Sequence, residues 1–454
     1  MKILNLLKQP SAFYFVFLIE IIERFCYYGA ISLLFVYLVN KIGMTNSDAE
    51  RIISTFTILM FLPIFIGGFL SDSYLGEKKT LVIGAFLLMV GYLSLAILKK
   101  NEVTFALSLI VVGNLFFKTQ PSALIGRFVA KKQKLTDSIF TLYYMAVNIG
   151  SFLGMLLIPR MFDPGSYSSA ALLCAFGMLV VLLATLSRYK KIPGTLVNYN
   201  KKLYFYLLIL VFCLAVLFYA SLNYAIFFII FSVLLFIVAS SVFCKKLNSY
   251  AKKDRRKLIL VLILMAQALI FFVPNWYPSL TLKYFSTHFA GGTIFGFEIR
   301  PAFFQTLNPF WIFILSPILA YFYSFREKQG HDIHITTKFS LGILSCGLGF
   351  LLLPAGAYFK INPEYVSANW IFFSYFFLAL GELLISGLGL AMITRLVRSG
   401  DYGFMMGFWF IVTPVAFLMG NWLPISNTNV GMAAASLKFL TRPSLRFKPP
   451  ALAG

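Results

Sequence analysis

Five side chains in one short stretch carry most of the chemistry this sequence can offer: Glu20, Glu23, Arg24, Tyr27 and Tyr28. Their i, i+3, i+4, i+7, i+8 spacing puts all five on one face of an α-helix. The surrounding run is otherwise apolar. Two further charges interrupt apolar runs elsewhere, Lys118 and Glu382. A charge at the centre of a hydrocarbon layer costs about 2.5–3.5 kcal/mol on insertion scales, so such residues face a partner or a water-filled cavity. Glu20 and Arg24 can pair across one turn, which leaves Lys118 as the expected cation for Glu23. Glu20, Glu23 and Glu382 then stand against Arg24 and Lys118. One negative charge is unmatched, and a proton or a ligand ammonium would neutralise it. Helix-holding ion pairs explain this set poorly, because buried pairs stabilise less than apolar substitutes do.

Other polar residues inside apolar runs are weaker signals. Asn148 and Asn308 could bond a ligand backbone or join two helices. Gln120, Gln267, Gln305 and Ser386 read as packing residues, and Gly67, Gly68 and Gly150 as points of close helix approach. Asp72, followed by a turn and Lys78–Lys79, reads as a latch between helix ends. The five cysteines lie in apolar segments without metal-ligand spacing, and His288, His331 and His334 lie in loops. No nucleophile–base pair, phosphate-cradling loop or metal cluster stands out, so an enzyme is not expected and neither a catalytic nor a metal site is assigned.

The elements that must position these charges are membrane helices. Of 454 residues 60% are hydrophobic and only 12% charged, and the mean hydropathy is +0.84. Such a chain cannot cover a globule with polar surface, so its solvent is the bilayer. A spanning helix needs about 20 mostly apolar residues. Runs of that kind lie at 12–39, 50–71, 79–98, 103–126, 137–161, 168–188, 203–220, 223–243, 258–283, 302–324, 336–357, 368–393 and 403–424. The net charge of +23 sits in short loop clusters, as topology signals do, which argues against nucleic-acid binding. Lys78–Lys79, Lys131–Lys134, Arg188–Lys202, Lys252–Lys257 and Arg326–Lys328 mark one side, with Arg395 and Arg398; the positive-inside rule makes it cytoplasmic, together with the N-terminus.

The order of spans suggests two halves. Residues 1–190 form a six-helix bundle, 191–257 a linker with an inserted helix pair, and 258–424 a second bundle of five spans. A short basic loop after the second span of each half suits a two-fold repeat. Residues 425–454 are polar and basic with no spanning run, so the last helix of the second bundle is read as missing or altered, the tail being otherwise a changed reading frame or an interfacial segment.

At the charged residues the sequence resembles the proton-dependent oligopeptide transporter family, a branch of the major facilitator superfamily. EIIERFCYYG, Glu20 to Gly29, is similar to that family's ExxERFxYYG signature. GGFLSDSYLGEKKT, GNLFFKTQPSALIG with Lys118, and FTLYYMAVNIGSFLG with Asn148 follow in the family's order. QTLNPFWIF, KFSLG, GELLISGLGLA and MMGFWF continue the series. The resemblance covers about residues 10–424 and implies an all-α major facilitator fold in the plasma (bacterial inner) membrane. It implies proton-coupled symport of di- and tripeptides by alternating access, with no cofactor and with protons as coupling ions. Glu20, Glu23, Arg24 and Lys118 would belong to proton coupling. Tyr27, Tyr28, Lys118, Asn148, Asn308, Glu382 and Ser386 would bind the peptide. Expected partners are peptides, protons and lipid, with the chain a monomer. The pattern departs at Ile31, where many members carry an arginine, near Pro274, where its carboxylate partner would stand, and at Phe61 in place of a tyrosine. These departures leave transport of another small amphoteric or anionic metabolite, its export, or an inactive truncated member as alternatives.

Overall fold

A computed structural model describes residues 11–422 apart from 98–101, 131–134, 163–165, 193, 195–201, 289, 292, 295–296, 299–303, 305 and 359–365. Gln305, Lys131–Lys134 and the 425–454 tail lie outside the described residues. Among the described residues thirteen helices are long and apolar enough to cross a membrane: α1 Phe13–Lys41, α2 Asn46–Leu75, α3 Glu77–Ile97, α4 Val103–Ala130, α5 Thr136–Met161, α6 Tyr167–Ser187, α7 Lys202–Asn223, α8 Ala225–Ser249, α9 Lys252–Asn275, α10 Leu307–Glu327, α11 Ile335–Gly356, α12 Ala368–Leu396 and α13 Ser399–Gly420. Every expected span is matched by one of them. The chain is nearly all helical, as a lipid-facing backbone must be to satisfy its own polar groups. Its few strand residues form two short ladders, β1 (Ala290–Gly291) with β4 (Val366–Ser367) and β2 (Thr293–Ile294) with β3 (Phe297–Glu298). Both lie in the long connections α9–α10 and α11–α12, outside the apolar spans.

Within the first six spans α1 packs on α5 and α6, and α3 packs on α4 and α6; within the last five α12 packs on α10 and α11. The inserted pair α7–α8 sits to one side. Phe212 there is 69% exposed and Leu208 68%, which in this setting is a lipid-facing surface. Arg51 of α2 donates to the Leu222 and Asn223 carbonyls at the end of α7. At the far end of α8, Lys246 pairs with Asp401, the Tyr250 hydroxyl donates to the same carboxylate at 2.6 Å, and Phe243 stacks on Phe408. The pair therefore rests on the first half at one end and on the second half at the other.

The two halves meet at the end that carries the basic loops. Backbone touches backbone there: a Cβ added at Gly68 would stand 2.0 Å from the Gly403 carbonyl oxygen. Asp72 accepts the Gly403 and Phe404 amides at 3.0 and 2.7 Å. These are orphan donors in the first turn of the helix that starts at Tyr402, so a carboxylate from one half caps a helix of the other. Gly76, at φ +74°, lets the chain leave α2 immediately after this latch. Ser138 of α5 donates to the Ala320 carbonyl of α10 at 2.8 Å. The latch reading of Asp72 and the close-approach reading of Gly67, Gly68 and Gly150 hold: added Cβ atoms at Gly67 and Gly150 would strike the Leu115 and Ile21 carbonyls.

Candidate functional site

Three helices are irregular where they carry polar groups. In α2 the helix breaks at Met60–Pro63, because a proline nitrogen cannot donate. The Met60 carbonyl freed by that break accepts from Asn114 Nδ2 at 2.6 Å. In α4 a non-helical step falls at Lys118, three residues before Pro121. In α12 a π-helical turn, Leu383–Gly387, follows Glu382 directly. Such extra-residue turns often mark functional positions. Pro63 and Pro121 thus account for two of the irregularities.

Arg24 donates to both oxygens of Glu23, at 2.5 and 2.6 Å, and reaches Asn114 Oδ1 at 3.5 Å. Lys118 Nζ donates to Glu20 at 2.9 Å, while Arg24 comes only to 3.8 Å from Glu20. The expected pairing is corrected here: Lys118 takes Glu20, not Glu23. Crossing from α4 to α1, Lys118 meets the carboxylate one turn nearer the basic end, and Glu23 lies within the fork of the neighbouring guanidinium. Glu20 and Glu23 are fully buried. The Tyr27 ring lies under Arg24, with 5.0 Å from guanidinium carbon to ring centroid, and Tyr28 meets Tyr27 edge-on. Lys118 also stands 5.6 Å from the centre of the Phe410 ring, which belongs to the other half, and Phe410 faces Phe61.

Glu382 is placed apart from these cations. Asn308 Nδ2 donates to one of its oxygens at 2.7 Å, and the Tyr144 hydroxyl of α5 donates to the other. No ion pair reaches Glu382 among the described residues. The unmatched negative charge of the five-residue count is therefore localised on it. Asn308 Oδ1 is buried with no partner, and Ser386, one turn along, is also buried. Asn148 turns back on its own helix and donates to the Tyr144 carbonyl at 2.9 Å. Gln120 accepts from Ser71 at 2.8 Å, a packing role. Ile31 lines an apolar pocket with Tyr27, Leu34, Phe56, Tyr92 and Tyr167.

A family model described as the POT family matches residues 78–429. A dipeptide and tripeptide permease A of Chromobacterium violaceum is 36% identical, over 97% of this chain and 90% of its own length. The permease of the same description from Edwardsiella piscicida is 38% identical, over 92% of this chain and 86% of its own. The chain belongs to the POT family. Solved POT-like structures agree with that membership. One, of a bacterial homologue of the human drug peptide transporters PepT1 and PepT2, superposes with a TM-score of 0.69 at 28% identity, covering 94% of this chain and 96% of that one. Another, tetrameric in its crystal, gives 0.69 at 30% identity, covering 94% of each chain.

The POT site also holds residues with weaker signals in the sequence. Tyr144 lies one turn before Asn148 in the same quoted segment, so helical spacing alone put it on the same face. Asn114 stands four residues before Lys118. Lys338 is a further charge inside an apolar run, 336–357; it is 1% exposed and bonds Asp137 at 2.5 Å. A count of every charge inside each run would have found it.

Proposed function

We propose that this protein is a proton-coupled symporter of di- and tripeptides that works by alternating access. The observation that carries this reading is Glu382, a carboxylate bonded by a hydroxyl and an amide but matched by no cation among the described residues. A peptide ammonium supplies the missing charge. It would lie against Glu382 and the unpartnered Asn308 Oδ1, with Ser386 one turn along. The peptide carboxylate is drawn to Lys118, and Asn148 and Tyr28 line the space between. Lys118 is engaged by Glu20 at 2.9 Å. A proton on Glu20 cancels that attraction and frees the ammonium for the peptide. Proton and peptide thereby favour each other's binding, which is the free-energy coupling that symport requires. Glu23 and Arg24 hold the neighbouring charge balanced meanwhile.

Residues 1–190 and 258–424 are the two rocking units in this reading, with 191–257 between them. The basic end faces the cytoplasm, with the N-terminus on that side, in the inner membrane of a bacterium. The structure is then closed to the cytoplasm. The transporting unit in this reading is a single copy of the chain. Uptake of labelled dialanine into proteoliposomes tests the function. Accumulation driven by an inward proton gradient and abolished by a protonophore is expected. Uptake indifferent to the gradient would replace symport with facilitated diffusion, and no peptide uptake by folded protein would replace peptides with another amphoteric solute.

A further inference from the structure

A second charged cluster lies where the halves meet at the basic end, away from the peptide site. Asp137 comes from α5. Tyr323 and Glu327 come from α10, Asp332 from the loop that follows, Lys338 from α11 and Arg395 from α12. Lys338 donates to Asp137 at 2.5 Å and to Asp332 at 2.9 Å. Arg395 bonds Glu327 at 2.5 Å and Asp332 at 2.6 Å, and stands 3.1 Å from Asp137. The three carboxylates offer oxygens within 4.8 Å of one another. Their count exceeds the two cations by one. Arg326 pairs with none of them among the described ion pairs, and His331 and His334 are exposed in the adjoining loop.

Four buried polar atoms in the cluster accept or donate no hydrogen bond: Glu327 Oε2, the Tyr323 hydroxyl, Arg395 Nε and Asp137 Oδ1, the last still facing the Arg395 guanidinium at 3.1 Å. Glu327 is 5% exposed at its side chain, and its Oε2 accepts no hydrogen bond. Tyr323 is 3% exposed, carries the Lys338 ammonium 4.8 Å from its ring centre, and its hydroxyl is likewise unpartnered. An excess negative charge with a bare carboxylate oxygen, shut away from water, lacks one positive charge of the smallest size. Asp332 is the least suited to take it. Against the effect of its partial burial, the bonds from Arg395 and Lys338 hold it below the usual carboxylate range.

We propose that this cluster is a proton-binding site that exists only while the basic end is closed, with the proton on Glu327 beside Asp137 and Tyr323. When the halves part, Asp137 leaves with the first half, the carboxylates separate, and the proton returns to the water on that side. The proton is thus bound more tightly in the closed form, so acid on the basic side favours closure. The parting of the halves and the name of that side, the cytoplasm, come from the alternating access proposed above; the identity of the transported solute does not enter. A proton that enters and leaves on one side does no transport; it makes closure answer to internal acidity.

Distance measurement by pulsed electron resonance tests this without any transported peptide, so failure of the peptide reading would leave it standing. Spin labels go on Ser187→Cys and Thr336→Cys, at the basic ends of α6 and α11, with the exposed Cys213 and Cys244 changed to serine, in nanodiscs. Between about pH 8 and about pH 6 the closed-to-open ratio of the parent should rise, with one linked proton limiting the rise to about tenfold per pH unit. Glu327→Gln leaves two carboxylates for two cations and should flatten the dependence to less than about threefold over the whole range. Asp332→Asn, at a side chain 34% exposed, should flatten it equally and guards against a fold-breaking effect of the first variant. A parent ratio that ignores pH, variants that track the parent, or closure driven by sodium at fixed pH would each overturn the proposal.

Discussion

The centre of the molecule and its basic end use the same charge arithmetic differently. Each gathers three carboxylates and two cations: Glu20, Glu23 and Glu382 with Arg24 and Lys118, and Asp137, Glu327 and Asp332 with Lys338 and Arg395. At the centre the unmatched carboxylate stands apart, held by the neutral donors Tyr144 and Asn308. At the basic end every carboxylate is tied to a cation shared with another. Separation leaves room for a molecule that brings its own charge. Interlocking leaves room for a proton alone. The lesson is that the topology of a charge excess, more than its size, decides between a binding site and a fastening.

Three substitutions test that contrast, in falling order of effect. Lys118→Ala leaves Glu20 buried without its closest cation, a loss of about 3–5 kcal/mol for a broken buried pair. Proton-driven uptake should fall to background in proteoliposomes while the closure of the basic end keeps its pH dependence; normal accumulation would remove Lys118 from the coupling. Glu382→Gln keeps the shape and the Asn308 and Tyr144 neighbours but discards the charge. Competition assays should show weakening by roughly tenfold to a hundredfold for peptides with a free amino terminus, as expected for a charged hydrogen bond of about 1.5–3 kcal/mol, and little change for acetylated ones. Equal weakening of both would mean that Glu382 does not meet the ammonium. Ser138→Ala removes one bond between α5 and α10, worth about 1 kcal/mol. The same spin-label distances should show a few-fold shift toward the open basic end with peptide selectivity unaltered, and a change in selectivity would mean that the two regions are not separable.

The fold was legible because lipid leaves so few options: apolar runs of the right length placed all thirteen spans, and the ExxER face was visible as a periodicity. Pairing was less legible. Glu20 and Glu23 are three residues apart on one face, and which of them Lys118 meets depends on the height at which α4 crosses α1, a tertiary quantity that helical spacing does not contain. Lys338 and Asp137 are 201 positions apart, and each reads singly as an ordinary charge near a helix end. Only the closure of one half on the other makes them a buried pair. The short strands of the α9–α10 and α11–α12 connections gave no alternation to recognise, since each is only two residues long.

The bare contact of Gly68 with Gly403 bears on speed as much as on shape. The side chain that reaches across beside it is the short Asp72 carboxylate, bonded to the Gly403 amide at 3.0 Å, so parting releases a side chain with few rotamers to search on rejoining, and the seam can work as a smooth bearing. The same bareness makes it a place to insert a doorstop. A single methyl on either glycine, 2.0 or 2.7 Å from the opposing carbonyl oxygen, would wedge the seam and hold the molecule ajar in the conformation that this structure does not occupy.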